Sequence, residues 1–310
     1  MNRNTPTHIG IDVSKARLDV HIPGQAHLQV ANSARGLDDL FTAIAGVEAP
    51  HLVCESTAGY QKLLAATALQ RGIPVSVVMP ARVRYFALSG GILAKTDRID
   101  ARLIASYADT HRPPALVAPD PAAVVLRQML EARRVLVDLI TDTGNRLELA
   151  EGFLRKTLTK LRRATQRLLD QADAGIAAHV AASPVLAAKS ARLRQLKGAG
   201  PVLAHTLLAY LPELGILPDK TVACLAGVVP HPKDSGTTCG KRKIQAGRGA
   251  VRKVLYMAAV SASHSNTVLK AFYQRLLQAG KPAKVALTAV MRKMITILNK
   301  LLADPDFTLA

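Results

Sequence analysis

Hydrophobic and polar positions alternate with period two along residues 8–13, where Ile9, Ile11 and Val13 face one side and Gly10 and Asp12 the other. A turn at Ser14-Lys15-Ala16 leads into a second alternating run, residues 18–22, ended by Pro23-Gly24. These are the signs of two strands joined by a turn. Residues 36–47 change to helical spacing, with Leu37, Leu40, Phe41 and Ile44 on one face. A short apolar strand over 51–54 ends on Glu55, a helix is expected over 59–71, and a further strand over 73–78 is closed by Pro80. Such alternation of strand and helix predicts an α/β domain.

The next amphipathic stretch spans residues 93–107. Thr96 is placed to cap the helix, which would bury Ile99, Leu103, Ile104 and Tyr107. On the helical wheel Asp100 falls between Leu103 and Ile104, inside the apolar face, and Asp97 at its edge. Helix-dipole matching accounts for Asp97. Asp100 on the buried side needs something positive to meet it.

Prolines at 113–114, 119 and 121 mark a linker. Helical spacing over residues 122–182 then places Leu126, Leu130, Val137, Ile140, Leu147, Leu154, Leu158, Leu161 and Leu168 on one seam, interrupted by Arg133, Gly144, Glu151 and Thr165. An imperfect heptad of this kind predicts a helical hairpin or an intermolecular coiled coil. Beyond it, Lys197-Gly198-Ala199-Gly200-Pro201 separates two helical segments. Glycines there would let backbone N–H groups approach a phosphate, as in a helix-hairpin-helix. Helices are expected over 250–263, 267–278 and 283–302, so the C-terminal third reads as all-α. The predicted division is 1–118, 119–190 and 191–310.

Charge narrows the function. The chain has 310 residues, a formal net charge of +19 and a hydrophobic content of 49%, which excludes general disorder. A field of this sign attracts a polyanion. Membrane is the poorest candidate, because the best apolar run, residues 285–298, is cut by Arg292 and Lys293. Residues 1–10 are polar and lead straight into a strand, unlike a secretory leader. Three cysteines without a C-x-x-C pair indicate neither a disulfide framework nor a zinc site. A reduced, cytoplasmic, nucleic-acid-facing protein is expected.

Two groups of residues carry candidate chemistry. Asp12 and Glu55 end strands, and Asp97 and Asp100 lie one turn apart on a helix. Together they could converge at a sheet edge and hold a divalent cation such as Mg²⁺, which prefers oxygen ligands. Taken singly, Asp12 also reads as a turn residue, Glu55 as a helix cap and Asp97 as a dipole-matching residue at a helix N-terminus. The second group is Ser235, a hydroxyl in a Pro/Gly-punctuated loop near Lys233, Lys241, Arg242, Lys243, Arg248, Arg252 and Lys253. Such a loop suits a phosphodiester, as a contact or as a nucleophile. His231 and Asp234 are nearby but read better as loop residues than as bases.

The order of motifs resembles a known family. It runs Ile11-Asp12-Val13-Ser14-Lys15, Cys54-Glu55-Ser56-Thr57-Ala58-Gly59-Tyr60, Ala94 to Ala101 with Asp97 and Asp100, Gly198-Ala199-Gly200-Pro201, and Lys233-Asp234-Ser235-Gly236 before Gly240-Lys241-Arg242. This is similar to the DEDD transposases of the "insertion sequence 110" family, which include bridge-RNA-guided recombinases and pilin-gene invertases. The resemblance covers nearly the whole chain. It implies a ribonuclease-H/RuvC-like domain whose Asp12, Glu55, Asp97 and Asp100 bind Mg²⁺ (or Mn²⁺), a coiled-coil connector, and a helical domain carrying Ser235 as nucleophile. It also implies donor and target DNA, an element-encoded guide RNA and a dimer or tetramer. Lys197, Gly198, Gly200 and the basic residues around Ser235 would contact nucleic acid. Two other readings remain: a junction resolvase with water as nucleophile and Ser235 as a phosphate contact, and a non-enzymatic architectural binder.

Overall fold

The computed structural model describes residues 6–92, 96–118, 120–232, 234–235, 238–240 and 242–309. The chain forms two compact units, Met1–Ala118 and Pro119–Ala310.

In the first unit the elements run β1 (Thr7–Val13), β2 (Arg17–His21), β3 (Leu28–Ala31), α1 (Ala34–Ala43), β4 (Pro50–Glu55), α2 (Lys62–Gln70), β5 (Val75–Val78), α3 (Pro80–Ser89) and α4 (Asp97–His111). The sheet order is β3-β2-β1-β4-β5. Strands β1, β2 and β3 are antiparallel, while β4 lies parallel to β1 and β5 parallel to β4. Parity within the strands divides the core in two. Ile9, Ile11, Leu52 and Cys54 meet Leu37, Leu40 and Leu64 of α1 and α2 on one face. On the other face Val53 and Val78 meet Val83 and Ala87 of α3 and Leu103, Ile104 and Tyr107 of α4. β3 and α3 were not expected from the sequence: β3 is only four residues, and Pro80 initiates α3 at its first position rather than merely closing the strand.

Helix α4 lies unusually close to β1. A Cβ built on Gly10 would come within 2.0 Å of the Ala101 carbonyl oxygen and 2.5 Å of the Ala105 nitrogen. The facing residues Ala101, Ala105 and Ala108 are themselves small and buried. Thr96 caps the helix as expected, its Oγ1 accepting from the Ile99 N–H at 3.3 Å. Arg112, at φ 45°, ends the helix in the left-handed conformation. The start of the expected stretch, Leu93, Ala94 and Lys95, lies outside the described residues.

The second unit opens with two long helices, α5 (Pro121–Leu149) and α6 (Gly152–Ala182), packed as an antiparallel hairpin. The hairpin reading holds, but the seam does not run as expected. Leu126, Leu130, Thr143, Thr165, Leu169, Ile176 and Val180 are buried, whereas Leu154, Leu161 and Leu168 are 56%, 43% and 52% exposed. The buried threonines satisfy their hydroxyls on the preceding turn, Thr143 to Leu139 O at 2.6 Å and Thr165 to Leu161 O at 2.9 Å. That removes the cost of placing them in the seam.

After α7 (Pro184–Leu193), α8 (Pro201–Tyr210) and α9 (Asp219–Leu225) come four very short strands, β6 (Pro230–His231), β7 (Asp234–Ser235), β8 (Thr238–Cys239) and β9 (Lys243–Ile244). Helices α10 (Gly249–Ser265), α11 (Thr267–Gln278) and α12 (Ala283–Ala303) complete the unit. The all-α expectation is therefore corrected: β6 pairs with β9 and β7 with β8, so the serine segment is an extended ribbon and not an open loop. Helix α8 is apolar almost all round and buried from Leu203 to Ala209, the composition of a central core helix. It packs on α5, α7 and α10. No helix among the described residues is long and apolar enough to cross a membrane.

Candidate active site

Strand parity brings the first two carboxylates together. In the parallel pair β1/β4, Ile11 is level with Cys54, so Asp12 and Glu55 stand one step further along at the same sheet edge. Asp12 shares its face with Gly10, and Glu55 shares its face with Val53, which packs on α4. Both therefore point to the side on which α4 lies. The first turn of α4 supplies Asp97 and Asp100. All four line one cleft of about 500 Å³, together with Arg84 of α3 and an apolar wall that includes Val83 and Leu103. The expected convergence of two strands and one helix is what the structure shows. Asp100 is half-buried, in keeping with its inward position on the wheel, and Asp97 is exposed at the edge.

Crowding has an electrostatic consequence. Burial, followed by the charges of Asp100, Asp97 and Asp19, pushes the Asp12 carboxyl above its usual value, against a smaller lowering by a hydrogen bond from the Val13 backbone. Asp19 was not singled out by the sequence reading. It sits on β2 directly opposite Asp12 and is 4% exposed. Its Oδ1 accepts from Gln29 Nε2 at 2.9 Å and lies 3.0 Å from His27 Nε2. Arg17, two residues earlier on the same strand, lies 3.4 Å from Asp19 Oδ2 and is ion-paired with Asp97. One guanidinium thus ties β2 to the first turn of α4. The alternation Arg17-Leu18-Asp19-Val20 contained the parity, but the partner across the ladder is not written in it.

The donor set fits a divalent cation: hard oxygen donors, clustered and partly desolvated, with the Asp12 proton affinity raised by burial and then by its acidic neighbours. No group of three His, Cys, Asp or Glu among the described residues is drawn tightly enough to close on a single ion. Cys54, at the same edge, faces the other core; burial pushes its thiol up to about 12, which leaves it protonated and inert.

The serine group lies in the second unit. Ser235 is in β7, level with Thr238 of β8, and Asp234 is level with Cys239. His231 pairs with Lys243 in the outer rung. Lys233 and Lys241 lie outside the described residues. Of the remaining basic residues, Lys197, Arg242, Lys243 and Lys253 are exposed. Arg248 is not a free cation: it is held by Glu213 at 2.5 and 2.6 Å and donates to the Tyr210 carbonyl at 3.0 Å. Arg252 donates to the Ala246 carbonyl at 2.5 Å, beside the close approach of Gly227 to Gly247. Both guanidinia brace the base of the ribbon. Gly198 has φ +105°, and a Cβ there would lie 2.5 Å from Ala262 Cβ of α10, so helix packing alone demands glycine at that point. Gly200 caps α8 and faces open space.

An acidic cleft on a helix-flanked sheet, joined to a basic helical unit, defines an enzyme acting on nucleic acid. Residues 9–151 match the DEDD transposase family model of the insertion sequence IS110 group, described as "Transposase". Residues 190–274 match a second model, "Transposase IS116/IS110/IS902 family". The chain is also 28% identical over 302 residues to a pilin gene-inverting protein of Moraxella bovis, and 27% identical over 303 residues to one of Moraxella lacunata, with 94% of both chains covered in each case. The chain belongs to the IS110 family of transposases, and it is a DNA recombinase.

Proposed function

We propose that the protein cuts and rejoins DNA through the hydroxyl of Ser235, assisted by Mg²⁺ held by Asp12, Glu55, Asp97 and Asp100. The observation that carries this reading is the meeting of those four carboxylates in one cleft, with the Asp12 proton affinity raised by burial and then by its neighbours. The strand order with helices on both faces supports a ribonuclease-H/RuvC-like assignment of the first unit. Mg²⁺ in that cleft would polarise the scissile phosphate and stabilise charge on the leaving oxygen. Asp12 and Glu55 fix the sheet side of the cleft and Asp97 and Asp100 the helix side. Arg17 holds Asp97 in place.

In the chemical step the Ser235 oxygen forms a bond to phosphorus as the bond to the departing strand's oxygen breaks. The serine proton passes to solvent and the departing oxygen takes one up. Attack on the phosphoserine by a deoxyribose hydroxyl of the exchanged strand then releases Ser235. Pairing of β7 with β8 holds the backbone at Ser235 extended. Lys197, Lys243, Arg242 and Lys253, with the backbone at Gly198 and Gly200 in a helix-hairpin-helix role, would hold phosphates. A cytoplasmic guide RNA pairing with donor and target DNA fits the +19 charge. The exposed heptad stripe Leu154, Leu161 and Leu168 supports a homo-oligomer assembled along α6.

Covalent trapping tests the mechanism. After rapid denaturation and nuclease digestion of cells carrying the element, a nucleotide is expected on Ser235 by mass spectrometry. It should vanish in Ser235→Ala and in Asp100→Asn. Recombination retained by Ser235→Ala would sink the serine mechanism and leave water as the nucleophile.

A further inference from the structure

The basic charge of this chain is not confined to the serine ribbon. Over residues 152–169, the first half of α6, there are six cations (Arg155, Lys156, Lys160, Arg162, Arg163 and Arg167) and no acidic residue. At 100° per residue they fall within an arc of about 160°, while Leu154, Leu158, Leu161, Leu168 and Leu169 occupy the opposite side. The rest of the hairpin is different. There three of the four arginines are paired, Arg127 with Glu131, Arg133 with Asp173 and Arg146 with Asp142, Arg134 being the exception. None of the six cations of α6 is in an ion pair among the described residues. Three of them, Arg155, Arg162 and Arg163, line a notch of about 440 Å³ with Thr159, Gln166 and, from α5, Leu147.

We infer that this face of α6 is a second DNA-backbone contact, separate from the serine ribbon, and that it takes duplex DNA across a groove. Unpaired like charges on one rigid helix repel each other and are held there without compensation from the protein, a pattern that a polyanion relieves. Guanidinium groups suit phosphate oxygens in both charge and planar geometry. The spacing fits a duplex: Arg155 and Arg163 are eight residues apart, about 12 Å along the axis, and the B-DNA major groove is about 12 Å wide. Arg155 would reach the phosphates of one strand while Arg162 and Arg163 reach those of the other. The leucine side is turned away from the cations: Leu169 is buried, and the exposed Leu154, Leu161 and Leu168 form the separate stripe assigned above to a homo-oligomer.

The inference rests on the DNA activity and not on the serine or metal chemistry. Its test is the salt dependence of binding by the full chain to a 30-base-pair DNA duplex, read by fluorescence anisotropy. Arg155→Gln/Arg162→Gln/Arg163→Gln keeps helix-forming residues at all three positions. Loss of three phosphate contacts should make the log–log salt slope shallower by about 2.7, with circular dichroism unchanged. Gln166→Arg, which adds a cation to the same notch, should steepen it by about 0.9. Arg242→Gln/Lys243→Gln/Lys253→Gln reports separately on the ribbon, so that failure of either contact is distinguishable from failure of the other. A change below one unit in the α6 variant, with no gain in Gln166→Arg, overturns the proposal. A loss seen only with duplex RNA of the same sequence also overturns it, by reassigning the face to RNA.

Discussion

Replacing Gly10 by alanine should disable the acidic cleft without touching a carboxylate. The added Cβ would meet the Ala101 carbonyl oxygen at 2.0 Å, the Ala105 nitrogen at 2.5 Å and Ala105 Cβ at 3.0 Å. Two of these are backbone atoms of α4, so no side-chain rotation relieves the clash. Restoring an ordinary contact of about 3.5 Å means moving the helix off β1 by about 1.5 Å. Overpacking of this kind costs about 1–3 kcal/mol. Asp97 and Asp100 ride on the same helix, while Asp12 and Glu55 stay with the sheet. A misplacement near 1 Å can cost about 100-fold in rate, so recombination should fall by roughly that factor in Gly10→Ala. The assay is a two-plasmid recombination readout beside thermal denaturation of the purified protein. Gly46→Ala is the control, because a Cβ there meets nothing within 4 Å. A Gly10→Ala protein with wild-type melting temperature and wild-type activity would refute the argument that this contact sets the cleft.

Three further outcomes are expected. Asp12→Asn should abolish recombination yet stabilise the cation-free protein. The folded state raises this carboxyl, so wild-type stability declines as pH rises from the ordinary carboxylate range through the raised value. Melts at pH 4 and 7, with EDTA or Mg²⁺, should show the gain from Asn and from Mg²⁺ mainly at pH 7; equal effects at both pH values would contradict it. Arg17→Gln should leave stability nearly unchanged, because the pair with Asp97 is half exposed and screened by solvent, but should slow recombination about 10-fold through a mobile Asp97. A wild-type rate would remove Arg17 from the site. Glu213→Gln should destabilise the second unit by about 1.5–3 kcal/mol, since it breaks the bidentate pair with Arg248. The Arg248 hydrogen bond lowers the Glu213 carboxyl, so this contribution is present above the ordinary carboxylate range and lost as pH falls through the lowered value. Urea denaturation at pH 7 and pH 3 should show the wild-type advantage shrinking at the lower pH, and an unchanged advantage would refute the pairing.

What the sequence by itself determined is local and periodic. Period-two runs located β1 and β2, a short apolar run located β4, and helical spacing located α1, α4, the α5–α6 hairpin and the three C-terminal helices, because burial imposes its pattern on the residues themselves. The same logic drew attention to Asp100, a carboxylate on an apolar stripe, and placed Asp12 and Glu55 at strand ends. What only the tertiary structure decided depends on partners distant in sequence. That Asp19 faces Asp12 is a matter of ladder register. That Arg17 reaches Asp97 depends on where α4 crosses the sheet, and that crossing depends on Gly10. Exposure of Leu154, Leu161 and Leu168 while Thr143 and Thr165 are buried follows from which side of α6 meets α5, a choice between neighbouring stripes of similar composition. The ribbon strands are two residues long, too short for any period to register. Arg248 looked like its basic neighbours until Glu213, 35 residues away, claimed it.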